Sequence, residues 1–304
     1  MSNTQDKIAI ESLRMVNADP FAPVRLTSIM HDGRPTDKVF VEIQCPEVDR
    51  WDVPAGTQVV HSLGYQLIPN AQARELAMRT MARTGMSFVP TPHHSDTSTS
   101  VTWTGRTYVE RWYTPDMKVA TPQGSEVMLG VEVRNSYDKS SKLKLSFFGM
   151  HCACQNQFFS NNLLGAPLSL SHVMGQNKDG ESFDEALELA FDSLVDRAEN
   201  FGAMTAHIGR LNAARFNSLD DYMLLMDECR NETKLTLDDT KILRELKHHT
   251  STKDIGLDVG DAYGDPNSYW ALANAFTALC THATPGVGGA ERSARFVDFL
   301  IDRA

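Results

Sequence analysis

Residues 135–156 read NSYDKSSKLKLSFFGMHCACQN, and this stretch decides the fold class. A polar segment rich in turn formers precedes a run in which lysine alternates with leucine, which is typical of a strand with one apolar and one polar face. Residues 125–134, SEVMLGVEVR, alternate in the same way. The two segments therefore predict a hairpin whose leucines and valines face a core while its charged side chains face outward.

The rest of the chain changes character near residue 165. Before that point a third strand is predicted at residues 98–113, and only residues 39–43 of the first sixty resemble a strand. A helix is predicted with Asn70 as its N-cap and an end near Gly85. After it, nearly every segment has helical periodicity, with helix starts at Ser182, Ser218 and Thr236 and near Ser268. The sequence predicts an α+β fold: a β-β-β-α-like antiparallel sheet, buried on one face only, followed by a mostly helical C-terminal half.

The charge is distributed unevenly over these two regions, which we delimit as residues 1–165 (mixed α/β sheet) and 166–304 (acidic and helical). The chain of 304 residues has a net charge of -10, which disfavours a generally cationic nucleic-acid binder. Residues 181–260 contain nine basic and seventeen acidic residues, whereas residues 101–150 contain seven basic and five acidic residues. Only the strand region is therefore expected to face an anion.

The cysteine content and the hydropathy indicate the cellular compartment in which the protein is expected. Five cysteines are an odd number in a long chain, unlike the dense, even pattern of secreted disulfide scaffolds. The first residues, MSNTQDKIAIESLRM, lack the basic and apolar regions of a signal peptide, and no window approaches the roughly eighteen apolar residues of a membrane span. We expect a reduced, cytoplasmic protein without a membrane partner.

A metal site and an enzymatic site are weaker alternatives. His151, Cys152 and Cys154 are close in sequence and have the right chemistry for zinc, but structural zinc sites usually contain a second close-spaced ligand pair. Small cysteine side chains on a strand are equally compatible with a core. Because no catalytic motif stands out, the sequence predicts neither an enzyme nor a cofactor.

Single-stranded nucleic acid is the third kind of ligand to consider, because proteins that bind it combine a basic groove with aromatic side chains on which bases stack. The strand region offers both residue types, although a solvated sheet face that only keeps the protein soluble has the same composition. The residues predicted to neutralise phosphates or to stack on bases are Arg106, Arg111, Arg134, Lys139, Lys142, Lys144, Trp112 and Tyr137.

Three stretches resemble a phage- and plasmid-borne family known as domain of unknown function 932. GYQLIPNAQARELA (residues 64–77) is similar to the family's Y-x-V-x-P-N entry into a first helix. Residues 133–158 are similar to its NSHDGS…VCxN centre, and YWALANAFTALCTHAT (residues 269–284) is similar to its W-x-L-x-N-x-x-T helix. Lys139 stands where the family usually has glycine, and Tyr137 stands where histidine is common. Asn135 and Asp138 are expected to be turn formers.

The resemblance implies an accessory protein of a mobile element. The predicted order of elements is also similar to the β-β-β-α core of phage single-strand annealing recombinases, which assemble into rings or filaments and bind single-stranded DNA. We therefore expect a phage- or plasmid-derived protein that binds single-stranded DNA, assists strand annealing and forms a homo-oligomer in the host cytoplasm. The alternatives are a non-catalytic structural or protein-interaction module of the mobile element, and a zinc-binding protein or enzyme.

Overall fold

The computed structural model describes residues 19–45, 50–52, 61–91, 101–152, 156–172, 183–251, 264–283 and 288–304. Its sheets are antiparallel and its helices are concentrated in the C-terminal half, so the predicted α+β class is confirmed. No helix among these residues combines the length and the apolar character needed to cross a bilayer.

The first sheet is small and contains β1 (Val24–His31), β2 (Arg34–Cys45), β3 (Arg50–Asp52) and β4 (His61–Ser62). Strand β2 lies in the middle, with β1 along one edge and β3 and β4 along the other. Asp32 and Gly33 connect β1 to β2 with φ angles of 48° and 74°, as a two-residue hairpin turn of type I′ requires. The prediction of a single short strand in this region is wrong, because the Asp-Gly pair is a hairpin signal.

The second sheet contains β5 (Val89–Pro90), β6 (Val101–Trp103), β7 (Thr107–Ala120), β8 (Glu126–Ser136), β9 (Leu143–His151), β10 (Gln157–Phe158) and β11 (Leu168–Leu170). The order is β10-β9-β8-β7-β5, with β11 beside β9 and β6 beside β7. The predicted β8–β9 hairpin is confirmed, with Arg134 opposite Lys144. Of the strand predicted at residues 98–113, residues 101–113 instead form a hairpin, because Gly105 turns the chain at a φ of 81°, and residues 98–100 lie outside the described residues.

The helices are α1 (Asn70–Arg83), α2 (Asn161–Leu164), α3 (Phe183–Asn200), α4 (Met204–Ala213), α5 (Leu219–Thr233), α6 (Asp239–Ser251), α7 (Tyr269–Ala278) and α8 (Gly289–Ile301). A 3₁₀ turn (Phe201–Ala203) precedes α4, and a π turn (Leu279–Ala283) follows α7. The hydroxyls of Ser218 and Ser268 accept hydrogen bonds from the backbone N–H groups of Asp221 and Ala271, so both predicted helix starts are confirmed. Ser182 lies outside the described residues.

The inner face of the second sheet packs against the helices. Leu129, Val131 and Leu145 are buried in one hydrophobic cluster with side chains from α1 and from α3 to α8, such as Trp270 and Phe296. The sheet region and the helical region thus share one core.

The outer face of the same sheet is buried as well. Phe148 of β9 packs with Phe159 and with Ala290 and Ala294 of α8. The Phe148 ring lies 2.3 Å from the position of a Cβ at Gly130 on the neighbouring strand, so only glycine leaves room for this ring. The prediction of a sheet buried on one face only is therefore wrong, because α8 returns from the end of the chain to cover the outer face.

Candidate nucleic-acid interface

Five charged side chains meet on the outer face of the second sheet, and we call them the sheet-face ion cluster: Arg111, Glu132, Arg134, Lys144 and Glu291. The strand register places Arg111 opposite Glu132 and Arg134 opposite Lys144. Glu291 reaches the cluster from the first turn of α8, where the helix dipole favours a carboxylate.

The distances within the cluster are those of ion pairs. The Nε of Arg111 lies 2.6 Å from one oxygen of Glu132, and Arg134 donates to the other oxygen at 3.0 Å. The carboxylate of Glu291 accepts from Lys144 at 2.7 Å and from Arg134 at 3.4 Å. The side chains of Glu132 and Arg134 are each only 1% exposed. Burial of this depth requires partners of opposite charge, and both have them.

The charge states follow from these contacts. Burial would raise the pKa of Glu132, but the charges of Arg134 and Arg111 prevail and lower it below its ordinary value. Burial would also raise the pKa of Glu291. The charge of Arg134 and the hydrogen bond from Lys144 outweigh burial, so this pKa is lowered as well. Both carboxylates are thus held ionised, and neither is suited to act as a general base.

Three of the six predicted phosphate-binding cations belong to this cluster. Arg134 is inaccessible to a phosphate, while Arg111 and Lys144 already neutralise Glu132 and Glu291. These contacts contradict the prediction that Arg111, Arg134 and Lys144 neutralise phosphates. Alternating charged residues on a strand are equally compatible with a buried, ion-paired face, and the decisive partner Glu291 is distant in sequence.

The two predicted base-stacking residues are also buried. Trp112 is 3% exposed and belongs to the main hydrophobic core, and Tyr137 is 1% exposed. The hydroxyl oxygen of Tyr137 accepts a hydrogen bond from the backbone N–H of Asn70 at 2.9 Å. Neither ring can stack on a base in this structure, so this prediction is wrong.

The remaining three cations lie together at one end of the sheet, and we call Arg106, Lys139 and Lys142 the turn-end cations. Arg106 lies between β6 and β7, with its side chain 49% exposed and its Nε 3.4 Å from Asp138. Lys139 and Lys142 are exposed in the turn between β8 and β9. Lys139 has a φ of 62°, a conformation that glycine adopts most easily. Asp138 accepts a hydrogen bond from the N–H of Ser140, which fits its predicted role as a turn former.

Beneath the turn-end cations lies a buried group of rings, the imidazole–tyrosine cluster of His61, Tyr65 and His172. The ring of Tyr65 stacks on His61 at 3.9 Å and on His172 at 5.5 Å between centroids. The ammonium of Lys139 lies 5.8 Å from the centroid of Tyr65. The two histidines are not among the predicted site residues, because isolated histidines give no sequence pattern.

Both imidazoles are oriented by backbone carbonyls. His61 Nε2 lies 3.0 Å from the carbonyl oxygen of Tyr137, and His172 Nδ1 lies 3.3 Å from that of Gln66, so these nitrogens carry the protons of the neutral rings. The other two ring nitrogens and the Tyr65 hydroxyl are buried and have no hydrogen-bond partner among the residues that the structure describes. Burial, followed by the charge of Lys139, lowers the pKa of His61 to about 4, and burial also lowers the pKa of His172.

The proposed metal ligands do not form a site in the described part of the chain, where no group of three His, Cys, Asp or Glu side chains is placed to hold an ion. His151 is buried, with its Nε2 2.6 Å from the hydroxyl of Ser125. Cys152 is half-buried, and burial raises the pKa of its thiol, which disfavours the thiolate that zinc binds. Cys154 lies outside the described residues.

Of the three stretches that resemble the phage and plasmid family, the central one contacts both of the others. Asn135 is not a turn former as predicted: it is buried in β8, where its side-chain amide donates to the carbonyl of Ile68 and to the side chain of Asn70, both at 2.8 Å. The side chain of Asn156 donates to the backbone carbonyl of Asn274 at 3.1 Å. Asn70 was predicted as the N-cap of α1, which is wrong because Pro69 occupies that position.

Comparisons with protein-family models, with curated proteins and with solved structures find no match to this chain.

Replacing Glu132 by Gln should lower the free energy of unfolding by about 3–5 kcal/mol, because Arg134 would remain buried without its nearest carboxylate. The matched control is Glu126→Gln, which removes the partner of the half-exposed Lys118 and should cost far less, because water screens an exposed pair. Urea unfolding followed by circular dichroism measures both. Equal losses for the two variants would contradict the structural role of the cluster.

The imidazole–tyrosine cluster predicts a loss of stability in acid. Because the folded state keeps His61 neutral down to about pH 4, only the unfolded chain binds this proton between pH 6.5 and 4. Stability should therefore be highest above pH 6.5 and fall towards pH 4, with His61 contributing about 1.4 kcal/mol per pH unit. His61→Phe, which retains a stacking ring, should flatten this slope, whereas His31→Gln at an exposed site should leave it unchanged. Identical slopes in all three proteins would refute the assignment.

Proposed function

We propose that the chain binds single-stranded DNA without catalysing a reaction, as an accessory protein of phage or plasmid recombination. We assign the contact to the turn-end cations rather than to the sheet face. The observation that carries this proposal is the difference between the two groups of cations: Arg111, Arg134 and Lys144 are neutralised by carboxylates, while Lys139 and Lys142 are exposed.

The turn-end cations are held close to one another by the sheet. The backbone N–H of Tyr137 donates to the carbonyl of Arg106 at 2.8 Å, which joins the β6–β7 turn to the end of β8. The hydroxyls of Thr107 and Ser140 lie 3.4 Å apart across the same two turns. A phosphate backbone crossing this end of the sheet would therefore meet the exposed ammonium groups of Lys139 and Lys142 on one turn, with the half-exposed Arg106, which pairs with Asp138, on the adjacent turn.

An aromatic side chain accompanies these cations. Trp103, at the end of β6, is only partly buried and contacts Tyr137 edge-to-face, with 6.0 Å between ring centroids. It replaces Trp112 and Tyr137 as the residue on which a base would stack. Basic groups beside a partly exposed ring resemble the combination that sequence-independent single-strand binders use.

The resemblance to the phage and plasmid family supports the same proposal, and with it a homo-oligomer in the host cytoplasm. Lys139 adds charge at a position with positive φ where that family usually has glycine. The cysteines whose side chains are described, Cys152, Cys229 and Cys280, are free thiols, which fits a reducing compartment.

A protein-partner role is the alternative, and one observation favours it. Helix α5 exposes Leu219, Met223 and Leu224 on its outer surface, with the exposed Asp220 and Asp227 beside them. Exposed apolar side chains among acidic residues suit a partner with apolar and basic groups.

A salt titration with a short oligothymidine tests the nucleic-acid proposal. Affinity for single strands should fall as salt rises, with a log–log slope of about -0.7 for each phosphate neutralised. The double variant Lys139→Gly and Lys142→Gln should bind more weakly and reduce the slope by about 1.4. Glycine at position 139 removes the charge and tolerates the positive φ.

The matched control is Lys234→Gly with Lys241→Gln in the acidic helical region. Lys234 also has a positive φ, of 57°, which matches Lys139, and Lys241 is 63% exposed, so the control removes the same charge from exposed positions. It should change neither the affinity nor the slope. Equal effects of the two double variants, or no detectable binding at low salt, would refute the proposal and leave the protein-partner role.

A further inference from the structure

Strand β1 offers an edge for pairing with another strand. It pairs with β2 along one side, and no other described strand pairs with it. An extended strand with a row of unpaired backbone donors and acceptors is a template for a further strand.

The features by which proteins usually protect such an edge are missing from β1. Its sequence, VRLTSIMH, contains neither proline nor lysine, and its one strongly basic residue, Arg25, is bound to Glu42 at 2.7 Å. The irregularity near Ser28 adds residues to β2 and not to β1, because Ser28 lies opposite Val39 and Met30 lies opposite Pro35. Strand β1 therefore keeps the regular alternation that pairing requires.

The apolar layer of the small sheet continues to this edge. On β2, Val41 and Ile43 are buried, and the β1 residues on the same face are Val24, Leu26, Ser28 and Met30. Leu26 is 37% exposed and Met30 is 58% exposed. An added strand would cover apolar surface that β1 leaves in contact with water.

We propose that two copies of this chain pair antiparallel through their β1 edges, with Ser28 opposite Ser28 on a twofold axis. Residues directly opposite in an antiparallel pair lie on the same face of the sheet, whereas neighbours along a strand lie on opposite faces. A twofold axis perpendicular to the sheet keeps each residue on its own face, so it must pass between the two copies of one residue. Centring on Ser28 places Leu26 of each copy against Met30 of the other, whereas centring on Thr27 places Leu26 against serine. The register centred on Ser28 therefore covers Leu26 and Met30 of both copies. It also joins the small sheets of the two copies into one continuous sheet.

This dimer does not depend on nucleic-acid binding, and disulfide trapping tests it in the full-length protein. In the proposed register the α-carbons at position 28 of the two copies lie about 4.5–5.5 Å apart, within the range of Cα separations that a disulfide spans. Ser28→Cys should form a covalent dimer under mild oxidation. Thr27→Cys should not, because the two residues at position 27 are diagonal neighbours about 7–8 Å apart. Both variants contain the same native cysteines, so the background is equal.

A second measurement tests dimerisation without a covalent crosslink. Light scattering should show a dimer of the unmodified chain, and Leu26→Lys should raise its dissociation constant roughly tenfold or more by removing both apolar pairs. Leu63→Lys, at a site 61% exposed beside β4, should leave dimerisation unchanged. A monomeric chain at all concentrations, trapping through position 27 instead of 28, or equal effects of the two lysine variants would overturn the proposal.

Discussion

A buried glutamate–arginine pair in the middle strand of a sheet constrains the rest of this structure. Glu132 and Arg134 cannot be left without partners, because an uncompensated charge in the interior costs several kcal/mol. Arg111 of β7 pairs with Glu132, and Glu291 of α8 pairs with Arg134 and with Lys144 of β9. These contacts are compatible with only one register of the three strands and one position of α8. The C-terminal helix is thus bound to the sheet by charge as well as by the packing of Ala290 and Ala294 against Phe148.

Much of the fold could be predicted because its signals are local. Alternation with a period of two is present within each of β8 and β9, and the serine caps at Ser218 and Ser268 depend on residues three positions away. The burial of the outer face could not be predicted in this way, since Lys144 and its partner Glu291 are 147 residues apart. The β1–β2 hairpin is a different case, because its turn has a local signal, the Asp-Gly pair at residues 32 and 33.

The candidate site shows the same division between local and distant causes. Lys139 and Lys142 are exposed, as the polar composition of their turn predicts. Trp112 and Tyr137 are buried, because they pack against residues that are distant in sequence. Asn135 links β8 to the entry of α1, and Asn156 links the end of the sheet to α7. Both asparagines therefore have structural roles, and Lys139 and Lys142 remain exposed at the turn.

The accessibility of individual lysines tests the burial of the outer face most directly. Amine-specific labelling of the folded protein, read by mass spectrometry, should modify Lys142 rapidly and Lys144 slowly, because Lys144 is 24% exposed and bound to Glu291. Denatured protein should label both at the same rate, and Glu291→Gln should accelerate labelling at Lys144 only. Equal labelling rates for Lys142 and Lys144 in the folded protein would contradict the ion-paired, helix-covered sheet.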